Sequence, residues 1–288
     1  GGNVTILSGG DITLAEVAAG RDSTLSLVTQ GVVQGLTNAN GAANITGGTL
    51  ILDIAKDIGT STQAVTLDAL SATNGGNGVV RLVKTPENAY LDILTRQTGD
   101  EPPTVELGTT SVDWTIGKNF VLTAQEANLL MQANVSAQNV SIEAKSGSLI
   151  MVDGKAITSD GTITLAGADG LDLSNIVGSS TDSAQQIALL SSAGNIRDLT
   201  SDELANVITA GSLLLNGASI GAQGVGDIDL DVGVINVITT SDNAGGATLQ
   251  SLVTTGTNLA SATTTGAFAL TVNEGDLNVT GNAKVGGL

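Results

Sequence analysis

The chain contains no histidine and no cysteine in 288 residues. Without histidine, Ser-His-Asp and Cys-His nucleophile systems cannot be assembled, and without cysteine there is no thiol chemistry and no disulfide. The same two absences remove the usual zinc ligand sets. Aromatic residues are nearly missing too: Trp114, Tyr90, Phe120 and Phe268 are the complete set. A thick globular interior leans on aromatic rings, so this interior must be built from Val, Ile, Leu and Ala. Basic residues number 10 against 28 acidic ones, for a net charge of −18. Such a field repels nucleic acid and anionic membrane surfaces, and neither is expected as a partner. No run of 18 apolar residues occurs, so no membrane-spanning helix is encoded and no membrane insertion is expected. The chain opens Gly1-Gly-Asn-Val-Thr, in mid-pattern and with no basic leader, which reads as a piece of a longer array.

Glycine, with 38 residues, and a long internal repeat are what the chain does have. Ile45-Thr-Gly-Gly-Thr-Leu-Ile-Leu-Asp53 returns 163 positions later as Ile208-Thr-Ala-Gly-Ser-Leu-Leu-Leu-Asn216. Both copies run on to an Ile-Gly pair, Ile58-Gly59 and Ile220-Gly221. Both then reach an alternating segment, Val65-Thr-Leu-Asp68 and Ile228-Asp-Leu-Asp231. The same offset pairs Leu27 with Leu190, Gly31 with Gly194 and Val33 with Ile196. Aliphatic spacing and turn glycines are kept, and no chemically special residue is. That is the signature of an architecture in which each unit buries its apolar face against its neighbours.

Short alternating segments recur throughout, among them Val4–Leu7, Thr49–Ile54, Val140–Ala144, Ser212–Leu215 and Val234–Ile238. Their period of two is that of a half-buried strand. A local phrase, Gly-x-[Ile/Leu/Val]-x-[Leu/Ile], returns at Gly10–Leu14, Gly48–Leu52, Gly147–Met151, Gly161–Leu165, Gly211–Leu215, Gly226–Leu230 and Gly275–Val279. Glycine turns the corner, the third and fifth residues point inward, and the residue between them points outward. Coils of roughly 20 or more residues follow, stacked as parallel strands. The fold class predicted is all-β: a right-handed parallel β-helix, or solenoid, with one segment over 1–288 and an extruded loop around 84–103. That loop reading rests on Lys84–Pro103 holding all three prolines and the only tyrosine. Gln125–Gln132 and Thr200–Ala210 are read as short helical turns, and Thr254–Gly266 as a low-complexity turn region.

Few residues suggest chemistry. Asp227, Asp229 and Asp231 alternate with aliphatic residues, which places three carboxylates on one outward face. Read functionally, they are a calcium patch or an acid–base pair assisted by Arg197, as in glycan cleavage. Otherwise they are a solvated face that blocks stray sheet pairing. Gly221–Gly226 is glycine-rich but opens no helix, so it reads as a solenoid corner and not as a phosphate cradle. Trp114 and Phe120 are expected to cap or fill one wide coil, and to form a sugar-stacking platform with Tyr90 only as the lesser alternative. Thr-x-Thr pairs are too sporadic for an ice-binding array. No catalytic, cofactor-binding or metal-binding residue is assigned.

The Gly-x-Ile-x-Leu strands, and the string Gly48-Thr-Leu-Ile-Leu52 … Ile58-Gly-Thr-Ser61 … Val65-Thr-Leu-Asp-Ala-Leu70, resemble the large secreted exoproteins of the filamentous haemagglutinin type. The resemblance covers most of the chain and is weakest over 84–135. It implies a right-handed parallel β-helix that is exported unfolded and folds at the Gram-negative cell surface. It also implies an outer-membrane secretion partner. The expected function is a structural and adhesive rod segment, not an enzyme, contacting a surface protein or glycan of a host or neighbouring cell. The alternative is a pectate-lyase-like β-helix enzyme using surface carboxylates.

Overall fold

A computed structural model describes residues 2–70, 77–95, 102–178, 186–200, 207–221, 226–239, 246–253 and 256–286. The chain divides into two compact units, 1–147 and 148–288. Among the described residues there is no helix, and the strands pair in parallel as a β-solenoid.

In the first unit one ladder runs through the strands Val4–Ser8, Thr24–Thr29, Thr49–Ile54, Gly78–Leu82, Thr104–Leu107 and Asn128–Met131. Register stacks like on like. Leu25 lies beside Leu50, Leu50 beside Val80, Val80 beside Leu107 and Leu107 beside Met131. All five are fully buried, forming an aliphatic file. Burying each such side chain stabilises the coil by about 1.5–3 kcal/mol relative to leaving it in water. A second ladder passes through Ile45–Gly47, Val65–Ala69, Asn88–Ile93, Asn119–Ala124 and Asn139–Ala144. The coil length varies, from 20 residues between Asn119 and Asn139 to 31 between Asn88 and Asn119. The second unit repeats the design, with Ile163, Ile187, Leu213, Ile235 and Leu259 in one buried file.

The two copies of the long repeat occupy like local positions. Residues 45–53 and 208–216 alternate between buried and half-buried in the same order, position for position. Ile45 pairs with Leu67 and Thr46 with Asp68; Ile208 pairs with Leu230 and Thr209 with Asp231. Gly59 and Gly221 both take the left-handed backbone, at φ 67° and 63°. One detail changes. Leu27 is buried and Leu190 half-buried, so Leu189 is the structural counterpart of Leu27.

Polar side chains tie successive coils together. Asn44 is buried and donates to the carbonyls of Leu14 (3.2 Å), Ala15 (2.9 Å) and Leu36 (2.7 Å), while its Oδ1 accepts from Thr66 N (3.0 Å) and Oγ1 (2.9 Å). An amide file climbs the second ladder. Asn88 donates to Asp57 (3.2 Å), Asn119 to Asn88 (2.8 Å) and Asn139 to Asn119 (3.1 Å).

Three sequence expectations need correction. The 84–103 stretch is not one excursion, because Asn88–Ile93 is a strand with Ala89, Leu91 and Ile93 buried between two neighbouring strands. Asn88, Tyr90 and Asp92 alternate with them on the outer side, a period of two that the prolines and charges on either side outweigh in the sequence. Residues 96–101 lie outside the described residues. Gln125–Gln132 is not helical: Asn128–Met131 is a strand with Leu129 and Met131 buried. Leu and Met favour helices in isolation, but pairing with Thr104–Leu107 overrides that weak preference. Thr257–Thr264 is a strand within the stretch read as a turn region. Of Thr200–Ala210, residues 201–206 lie outside the described residues and Ile208–Ala210 begins a strand.

Candidate functional site

The alternating aspartates lie at the start of the Ile228–Thr239 strand. They lie on the same side of the strand, but that side is not open to solvent along its length. Asp227 and Asp231 are half-buried, whereas Asp229 is only 1% exposed. Asp229 stands opposite Gln250 of the next coil, and its carbonyl accepts from Val207 N (3.0 Å). The strand is covered on both sides at this point, and alternation alone could not reveal that. Arg197, the expected cationic partner, is engaged one coil away. Its Nε and Nη2 donate to the two oxygens of Asp172 at 2.7 and 2.8 Å, a bidentate pair. Next to it, Asp198 accepts from Thr200 N (2.6 Å) and Oγ1 (2.8 Å). Burial raises the Asp198 carboxyl above the ordinary aspartate value. The Thr200 hydrogen bonds oppose that rise, and the charges of Asp227 and Asp153 add to it. No group of three or more acidic side chains that could hold a metal ion occurs among the described residues. Residues 222–225 of the glycine-rich corner lie outside the described residues.

A second locus surrounds Trp114. Trp114 and Phe120 are 1% and 0% exposed, with ring centroids 5.8 Å apart and planes at 87°. They fill the interior of a wide coil, edge to face, as the spare aromatic content requires. Phe120 sits beside Ala89 and Val140, so small neighbours make room for the ring. Tyr90 is on the opposite, half-buried side of its strand and takes no part.

Outside this coil lies a cavity of about 310 Å³. Ile51, Leu82, Val83 and Val112 provide its apolar walls, with Arg81 and Trp114 as its two nitrogen-bearing side chains. The strand Thr104–Leu107 ends at Gly108, whose N–H donates to Val80 (2.8 Å). Gly108 takes φ 82°, which turns the chain into the Thr109–Val112 turn over the cavity. Val83 and Val112 remain 53% and 45% exposed. The indole N–H of Trp114 is buried and has no acceptor among the described residues. An unsatisfied buried donor costs about 1–3 kcal/mol. Nothing in the sequence signals this cavity except the position of Trp114 in the stretch that departs from the Gly-x-Ile-x-Leu phrase. Comparison with protein-family models, with curated proteins and with solved structures finds no match to this chain.

Proposed function

We propose that the chain is a structural and adhesive segment of a large secreted or cell-surface exoprotein of a Gram-negative bacterium. The observation that carries this reading is the position-by-position repetition of burial and pairing between residues 45–53 and 208–216. Such repetition maintains a scaffold, whereas catalysis would single out a few residues. A chain without cysteine forms no disulfide before export, and stacked coils can fold one on the next. Its partners on this reading are an outer-membrane secretion protein during export and, afterwards, a protein or glycan on another cell. The half-buried outward rows, rich in Thr, Ser, Asn and Asp, supply the contact surface.

Beads coated with the full chain test this. They should adhere to epithelial or bacterial cells well above albumin-coated beads. Protease or periodate treatment of the target cells then tells a protein receptor from a glycan. Adhesion no greater than that of albumin on every surface tried would overturn the adhesive reading.

A further inference from the structure

We propose that the cavity beside Trp114 is a binding site for a small monocarboxylate with an apolar body. The inference is independent of the adhesive reading. Two of the residues lining it carry donors with no partner among the described residues. The first is the indole N–H, which is buried without an acceptor among the described residues. The second is Arg81, which is exposed and forms no ion pair among the described residues. Lys84, Lys118 and Arg197 are by contrast engaged, with Asp53, Glu87 and Asp172. Register explains why Arg81 has no partner. It stands beside Ile51 on one side, and the strand on the other side has already ended at Leu107, opposite Val80. No carboxylate is aligned with it.

Carbon surface completes the site. Exposed Val83 and Val112, with Ile51 and Leu82, offer walls for an apolar body, and about 310 Å³ is within the range of small-ligand pockets. The Trp114 N–H lies against Gly108 on the inner wall, 3.1 Å from where a Cβ on that glycine would stand. The covering turn is closed by a long hydrogen bond from Val112 N to Thr109 O (3.4 Å), so it can yield to an entering acceptor. One carboxylate engages both donors, accepting from the guanidinium at the mouth and from the indole further in. A cation would meet Arg81 with like charge, and a purely apolar guest would leave the N–H unsatisfied.

The probe is cyclohexanecarboxylate, with cyclohexylmethanol as its uncharged counterpart. Trp114 is the only tryptophan, so its emission and its single indole N–H resonance report on this site alone. The acid should shift both signals saturably, with the indole proton moving downfield. Arg81→Gln, an exposed change that leaves the fold intact, should weaken binding about tenfold. The alcohol should bind at least that much more weakly than the acid. No saturable change with the acid up to about 20 mM, far weaker than a specific site would give, overturns the proposal. Equal responses to acid and alcohol, or an unaltered affinity in Arg81→Gln, overturn the assignment of a carboxylate.

Discussion

At the scale of single residues, the fold depends on positions where only one backbone geometry or one side chain fits. Gly59 combines φ 67° with the Tyr90 carbonyl 2.7 Å from where a Cβ would stand. Gly59→Ala therefore incurs both left-handed strain and a backbone clash. It should lower unfolding free energy by at least about 1–2 kcal/mol in urea titration. Asp198 makes a pH-dependent prediction. Its folded carboxyl is raised above the ordinary value of 3.8, chiefly by burial. The native state therefore holds this proton more tightly than the unfolded chain. Stability from this group is present at low pH and falls as pH rises through the raised value. Asp198→Asn keeps an oxygen for Thr200 and removes the buried charge. Its melting temperature should exceed that of the parent at pH 7, and the difference should vanish near pH 3. A lower melting temperature at pH 7 would mean that the Thr200 hydrogen bonds outweigh burial.

At the scale of elements, the glycine-led phrase carried most of the legible structure. In Gly48–Leu52, Gly147–Met151, Gly161–Leu165 and Gly211–Leu215 the third and fifth residues are buried and the fourth half-buried, as the phrase predicts. It fails at Asp229, where neighbouring chain covers the outer face, and at Leu277–Val279, where all three residues are exposed. Val33–Gly35, Ala156–Ser159 and Asn195–Asp198 have only three or four residues each, too few to show a period of their own. They are strands only because a neighbouring coil supplies the hydrogen bonds. Asn88–Ile93 is the most instructive case, since prolines and charges around it disguised a core strand. Leu91→Ala should cost about 2–5 kcal/mol, as for other fully buried leucines. A cost below about 1 kcal/mol, measured by chemical denaturation, would restore the loop reading. The cavity was less legible still. It arises where one strand stops two residues short of its neighbour, and no local pattern encodes that.

At the scale of the whole molecule, charge and chemistry point the same way. The net charge of −18 leaves most carboxylates without a cation, and the ion pairs of Lys84, Lys118 and Arg197 engage only Asp53, Glu87 and Asp172. Self-repulsion therefore works against folding, and salt should relieve it. Raising sodium chloride from about 10 mM to 300 mM, over which the screening length shrinks from about 30 Å to below 8 Å, should raise the melting temperature. A fall would mean that the ion pairs dominate. Everything else in the account rests on parallel, in-register stacking of coils. Cysteine pairs introduced into this cysteine-free chain test it most directly, because neighbouring strands lie about 4.8 Å apart and disulfides need Cα atoms within about 4.4–6.8 Å. Ser26→Cys with Ile51→Cys, and Leu214→Cys with Asn236→Cys, join register partners with outward-facing side chains. Both pairs should oxidise readily to intramolecular disulfides, while the offset pair Ser26→Cys with Asp53→Cys should not. Equal cross-linking of the aligned and offset pairs, or none in the aligned ones, would contradict the solenoid.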